Sequence, residues 1–153
     1  MDAREAAQLS FDKHRLMAEE KKLSYTLEID VPDDVPLIVL VPAPSSTAIA
    51  DNLIENAIHY TSSGFVRVKL TSDGDNVVFS VADSGMGMTP REQEMVFERH
   101  YRSHRSQAIN PAGSGIGLAL VREATRISGG TVTLVSEPGK GSTFTVTLPI
   151  VKE

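Results

Sequence analysis

The chain has 153 residues, of which 41% are hydrophobic and 23% charged, the profile of one ordinary globular domain and not of a disordered or collagen-like chain. A formal charge of −5 and a pI near 5.4 argue against a nucleic-acid partner, and without cysteines the chain holds no disulfide or thiolate metal site. The longest apolar stretch, Val35 to Pro44, is interrupted by prolines and falls short of the roughly 20 residues a membrane helix needs. With a polar, acidic N-terminus and no secretory pattern, the expectation is a cytoplasmic domain with no membrane contact by this segment.

In chain order, residues from about Ser10 to Lys22 are expected to be helical, with Asp12 early, Lys21 and Lys22 in the last turn, and Ser10 as N-cap. Residues 24–30 place Tyr25, Leu27 and Ile29 on one face of a strand, and Leu37 to Val41 is a short apolar strand candidate. From about Ser45 to Tyr60, Ile49, Leu53 and Ala57 recur at helical spacing, with Ser45 and Ser46 available as caps. Val66, Val68 and Leu70, then Val77, Phe79 and Val81, repeat with period two on either side of a turn at Ser72–Asp75, as in an antiparallel hairpin.

Pro90 to about Glu98 is expected to form a short helix. Residues 100–114 are polar and long for a connection inside a compact domain, the kind of loop that carries function. Ile116, Leu120, Ala124 and Ile127 mark a third main helix closed by Gly129 and Gly130. Two strands follow, with Val132 and Leu134 on one and Phe144, Val146 and Leu148 on the other. The fold class is α+β: a two-layer sandwich whose mixed sheet of about five strands is covered on one face by three helices.

Four short constellations carry chemistry. Asn52, Asn56 and His59 share a face of the second long helix beside its apolar stripe. Half-buried amides need partners, either loop backbone or a cation for which an Asn carbonyl is a hard ligand. Asp83-Ser84-Gly85-Met86-Gly87 follows a strand end, where it is either an ordinary turn or an acceptor for an exocyclic amine with backbone room for a ligand. Gly113-Ser114-Gly115-Ile116-Gly117-Leu118 opens the third helix as an anion site would, but with neither a Walker lysine nor a preceding Rossmann strand. Gly139-Lys140-Gly141-Ser142-Thr143-Phe144 is a glycine turn between the last two strands.

In order and spacing these motifs resemble the ATP-binding catalytic domain of sensor histidine kinases, of the GHKL or Bergerat-fold superfamily. Asn52 to Thr61 resembles the N box, Asp83-x-Gly85-x-Gly87 the first glycine box, Val96 to Arg102 the F box, Gly113 to Leu120 the second glycine box, and Gly141 to Pro149 the closing strand. The resemblance implies ATP and Mg²⁺ as ligands. It puts Asp83 on the adenine amino group with Thr143 beside it, and Asn56 on Mg²⁺ with Asn52 in support. It sets Tyr60 along the adenine or ribose, Gly113, Gly115, Gly117 and Leu118 at the phosphates, and residues 88–114 as an ATP lid. Arg102 or Arg105 would stabilise the transferring phosphoryl group.

ATP-hydrolysing members resemble one another in a Glu base four residues before the Mg²⁺ ligand. Here that position is Asn52, which cannot take a proton. That suits an imidazole acceptor, with Glu55 placed to help it. His59 stands where the family often has Lys, so nucleotide affinity is expected to improve as pH falls through about 6.5. His100 stands where Phe is common, which would loosen packing at the base of the lid. None of the four histidines lies in a phosphoacceptor pattern. Residues 1–9 are then expected to be a stub from a preceding dimerisation and acceptor domain, with 10–153 the catalytic domain. The implied partners are that histidine-bearing domain and a response regulator receiver domain. The alternatives are a non-catalytic nucleotide-binding module and a stand-alone GHKL ATPase.

Overall fold

Each period-two segment becomes a strand. The computed structural model describes residues 1–98 and 117–152, in which β1 (Ser24–Asp30), β2 (Phe65–Ser72), β3 (Asn76–Asp83), β4 (Thr131–Glu137) and β5 (Gly141–Pro149) form one sheet in the order β1-β2-β3-β5-β4. β1 and β2 are parallel, and every other pair is antiparallel. A parallel pair requires a crossover, and α3 (Ala48–His59) supplies it. The alternation leaves one face apolar, with Val66, Val68, Leu70, Val77, Val81, Phe144 and Val146 all buried, and the helices cover that face as expected.

Helix α3 sits centrally, flanked by α1 (Ala3–Lys13) and α5 (Gly117–Ile127), with the shorter α2 (Arg15–Glu20) and α4 (Pro90–Met95) at the margins. Its buried stripe of Leu53, Ile54, Ala57 and Ile58 is the helical half of the core. Full burial of each large aliphatic side chain there contributes about 1.5–3 kcal/mol. Gly129, at φ +81°, ends α5, and the N–H groups of Gly129 and Gly130 donate to the carbonyls of Arg126 and Thr125.

Three local expectations are corrected. The first helix starts at Ala3, capped by the Asp2 carboxylate, which accepts from Arg4 N. It continues through residues 9 and 10, with Ala3, Ala6 and Ala7 buried. Ser10 is therefore interior and fully buried, and its hydroxyl donates to Asp51 Oδ1 at 2.7 Å. Ser45 and Ser46 do not cap α3. Thr47 holds the N-cap position without a capping bond, and its hydroxyl donates to Asp51 Oδ2.

Leu37 to Val41 is not a strand, since only Ile38 makes a bridge, to Asp2. The flanking Pro36 and Pro42 have no N–H to extend a ladder. The segment instead works as a strut. Leu37 O accepts from Ala3 N, Val39 N donates to Met1 O, and Ile38 O accepts from Val151 N. Among the described residues no helix is long and apolar enough to cross a membrane.

Candidate functional site

The predicted motifs converge at one end of the sheet, where β3 stops, β5 starts, β4 stops and α3 stops. Two glycines make this convergence possible. Gly87 (φ +67°) and Gly141 (φ +92°) lie against the carbonyls of Glu137 and Asp83, well inside the distance any Cβ would tolerate. Gly85 packs in the same way on the Tyr60 carbonyl, which also accepts a long bond from Met86 N. Gly139 N donates to Met86 O at 2.7 Å, so the Asp83–Met88 turn is clamped between the end of α3 and the β4–β5 turn.

Asp83 is in phase with Val77, Phe79 and Val81 on the helix-covered face and is only 7% exposed. Burial pushes its carboxyl up to about 6, offset in part by the backbone N–H groups of Gly85 and Ser142. Gly85 N donates to its Oδ1 at 2.9 Å. A buried carboxylate with acceptor capacity left over is poised to take a ligand's N–H donor.

The strand register corrects the expected neighbour of Asp83. Thr143 pairs with Ala82 and, being out of phase with buried Phe144, Val146 and Leu148, stands on the other face of the sheet. Ser142 is the residue across from Asp83, and Ser136 is across from Ser142 on β4. Asp83, Ser142 and Ser136 thus form a polar row over three strands, adjoining the apolar row of Val81, Phe144 and Leu134. The period-two phase of Phe144 already carried the signal that selects Ser142. Ser136 had none, because it depends on which strands become neighbours.

Along α3, Asn52 Nδ2 donates to Ala48 O at 2.7 Å, and its Oδ1 lies against Gly117 at the start of α5. A side chain at 117 would collide with that oxygen, so Gly117 lets the two helices meet. Asn56 is half-buried, and its amide makes no hydrogen bond among the described residues. Tyr60 is the C-cap residue of α3, half-buried beside the Gly85 turn. His59 is pushed below its ordinary value by burial, with Lys21 and His14 adding to the shift and Glu55 opposing it. The expected pH window for His59 therefore moves below 6.5.

Glu55 faces elsewhere: its Oε1 lies 2.9 Å from His14 Nε2 at the α1–α2 junction. The structure pairs Glu55 with His14 instead of grouping it with Asn52 and Asn56. Leu118 packs on the core. Arg102, Arg105, His100, Gly113 and Gly115 lie outside the described residues, as do residues 99–114 of the expected lid. The described start of the expected lid segment is firmly built. Thr89 and Glu92 form a capping box on α4, and Phe97 meets Phe144 edge to face, with ring centres 5.8 Å apart.

Lys21, at the end of α2, makes a further long-range contact. Lys21 Nζ donates to the carbonyls of Ile58, His59 and Thr61 at 2.7, 3.1 and 3.3 Å, a cation capping the C-terminus of α3.

This arrangement has counterparts. The protein family described as histidine kinase-, DNA gyrase B- and HSP90-like ATPases matches residues 45–152. The chain is similar to the aerobic respiration control sensor protein ArcB of Escherichia coli (strain K12), 40% identical over 135 residues, which cover 87% of this chain and 17% of that protein. It is similar to the sensor histidine kinase MtrB of Mycobacterium leprae, 38% identical over 136 residues, covering 89% of this chain and 24% of that protein. It thus spans a quarter or less of the length of both relatives. Among solved structures, full-length ShkA in complex with AMPPNP matches with a TM-score of 0.77 and 25% identity, covering 100% of this chain and 31% of that one. By the span of the family match, this chain belongs to the histidine kinase-, DNA gyrase B- and HSP90-like ATPases.

Proposed function

We propose that this domain binds Mg-ATP at the Asp83 end of the sheet and donates the γ-phosphoryl group to a histidine on a separate dimerisation and acceptor domain, from which it passes to a response regulator. The observation that carries the reading is Asp83 itself. A carboxylate this buried is costly, and the fold places it at the mouth of a glycine-built turn instead of pairing it with a cation. Its acceptor oxygens suit the amino group of adenine. The naming of ArcB and MtrB as sensor proteins, and the AMPPNP bound in the ShkA structure, support the same assignment.

The residues present fit a nucleotide-held cation. Asn56 offers a hard amide oxygen that makes no hydrogen bond among the described residues, with Asn52 one turn away. Mg²⁺ bound there would be held mainly by phosphate oxygens and would neutralise their charge. In the transfer, the bond from the γ-phosphorus to the bridging oxygen breaks, a phosphorus–nitrogen bond forms to the acceptor imidazole, and ADP leaves. A neutral imidazole attacks through a free lone pair, so no base is required from α3. Asn52, in the place a base would hold, is consistent with that. Such chemistry belongs in the cytoplasm, where ATP is.

The test is a Mg²⁺-dependent thermal shift with ATP, ADP and GTP on wild type and Asp83→Asn. ATP and ADP should stabilise the wild type more than GTP does, and Asp83→Asn should erase the difference. Equal shifts for ATP and GTP on the wild type would overturn the adenine assignment. Labelled ATP with a matched acceptor domain then separates a kinase, which yields phosphohistidine, from a module that only binds.

A further inference from the structure

The hydroxyls beside Asp83 have a fixed polarity, and Ser136 fixes it. Ser136 Oγ is 2.9 Å from Gly141 O, 2.8 Å from Ser142 Oγ, and 2.9 Å from Met88 N. A hydroxyl has one proton to give and two lone pairs to receive. Met88 N–H can only donate, so it takes one lone pair of Ser136. The carbonyl of Gly141, a buried residue, can only accept, so it takes the Ser136 proton. The remaining contact is then decided, because Ser142 must donate its own proton to Ser136. With its proton committed to β4, Ser142 has only lone pairs to offer on other sides.

Asp83 and Ser142 are cross-strand partners on the helix-covered face, and both are nearly buried. Under this assignment the two side chains present acceptors only. Such a pair favours a donor, such as an amino group, directly or through water. It penalises a carbonyl in the same place, which would leave buried acceptors facing each other. The frame around Ser136 is rigid. Gln93 Nε2 donates to both Met88 O and Ser136 O, at 3.0 and 3.1 Å, tying α4 to the end of β4 and holding Met88 N on the serine.

We propose that Ser136 is a specificity-determining positioning residue, which acts through Ser142 by locking its hydroxyl as an acceptor beside Asp83, so that the site selects a 6-amino over a 6-oxo purine. This rests on the nucleotide reading given above. Removing the Ser136 hydroxyl frees the Ser142 proton, which can then be donated to a 6-oxo group.

The experiment is calorimetric titration of the domain with Mg-ATP and Mg-ITP, which bear an amino and an oxo group at C6 and, with it, an unprotonated and a protonated N1. The wild type should prefer ATP. Ser136→Ala should lower the ATP-to-ITP affinity ratio about fivefold or more, chiefly by improving ITP, and Ser136→Thr, which restores a hydroxyl, should recover it. A role confined to stability would weaken both nucleotides alike, and an unchanged ratio in a folded Ser136→Ala overturns the proposal. Should that variant fail to fold, Ser142→Ala reads the same polarity. Loss of ATP affinity with ITP unchanged supports an acceptor, whereas loss of ITP affinity alone overturns it. A wild type that binds ATP and ITP equally removes the adenine reading and this inference with it. A wild type that discriminates while Ser136→Ala keeps the ratio removes this inference only.

Discussion

Helix α3 presents two polar flanks that differ in how far their groups are satisfied. On the side facing α1, Asp51 receives the hydroxyls of Ser10 and Thr47 and the ammonium of Lys13, and Glu55 meets His14, whose Nδ1 donates to Ser10 O. On the side facing α5, Asn52 uses its amide nitrogen on its own helix, and Asn56 makes no hydrogen bond among the described residues. Polar groups that hold a fold together come with their partners, because leaving one unpaired costs about 1–3 kcal/mol. The half-buried Asn56 amide is left open to solvent or to a ligand. The contrast separates a packed flank from an open one on a single helix, and the open one carries the proposed site.

The comparison is broken most strongly from the packed side. Asp51→Ala strands the fully buried Ser10 hydroxyl together with Thr47 and Lys13, and should cost about 3 kcal/mol in urea denaturation while leaving Mg-ATP affinity nearly unchanged. A comparable loss of affinity would mean that the two flanks are not separable. Hydrogen bonds from Lys13, Ser10 and Thr47 hold the Asp51 carboxyl below its ordinary value, against burial. Its contribution is therefore present above the unfolded pKa and is lost as acid protonates it.

Next in size is Asp83→Asn. The Asp83 carboxyl is raised to about 6, so the stability linked to its protonation is full below the unfolded value near 3.9 and is lost as pH rises through about 6. The ligand-free Asn variant should therefore be more stable than wild type at pH 7 by about 2 kcal/mol, with the advantage fading toward pH 4 in paired melts. Nucleotide affinity should run the other way, with wild type weakening as pH falls below about 6 while the carboxylate protonates. That loss opposes any gain from His59, whose own titration is displaced downward in the same range.

Asn56→Ala should weaken Mg-ATP at least tenfold by calorimetry, yet change the ligand-free stability by less than about 0.5 kcal/mol. A large destabilisation would give Asn56 a structural role and dissolve the contrast between the flanks. The smallest effect belongs to Lys22, which holds φ at +58° in the turn before β1. Lys22→Gly relieves the left-handed strain against a higher unfolded-state entropy, for a net gain of about 0.5 kcal/mol in the melt, without altering nucleotide binding.

Much of this was legible in the residues in order. Period-two runs located the hairpin and the closing strand, and helical spacing located α3 and α5. The glycines at 85, 87 and 141 marked turns, and the structure adds that backbone packs on backbone there. These are local signals, carried by neighbours a few positions apart. The misses share a different cause. Ser10 stands before a helical run, as a cap would, but that run reaches back to Ala3 and buries the serine against Asp51. Glu55 lies off the Asn face, as adjacent residues on a helix point about 100° apart, but the partner it finds there, His14, comes from a distant helix end. Thr143, which the resemblance puts beside Asp83, is one position from Ser142, and on a strand one position changes the face.

By itself, then, the sequence determined the α+β class, the faces of the long elements and the glycine turns, and it pointed to Asp83 with the Asn pair as the chemistry of the proposed site. Tertiary structure alone decided who stands beside whom. The pairing of Glu55 with His14, the Lys21 cap on α3, and the row of Asp83, Ser142 and Ser136 arise from segments far apart in the chain. Sheet order and register bring them together. Local spacing reports which way a side chain points, but which partner it finds there is a property of the packed molecule.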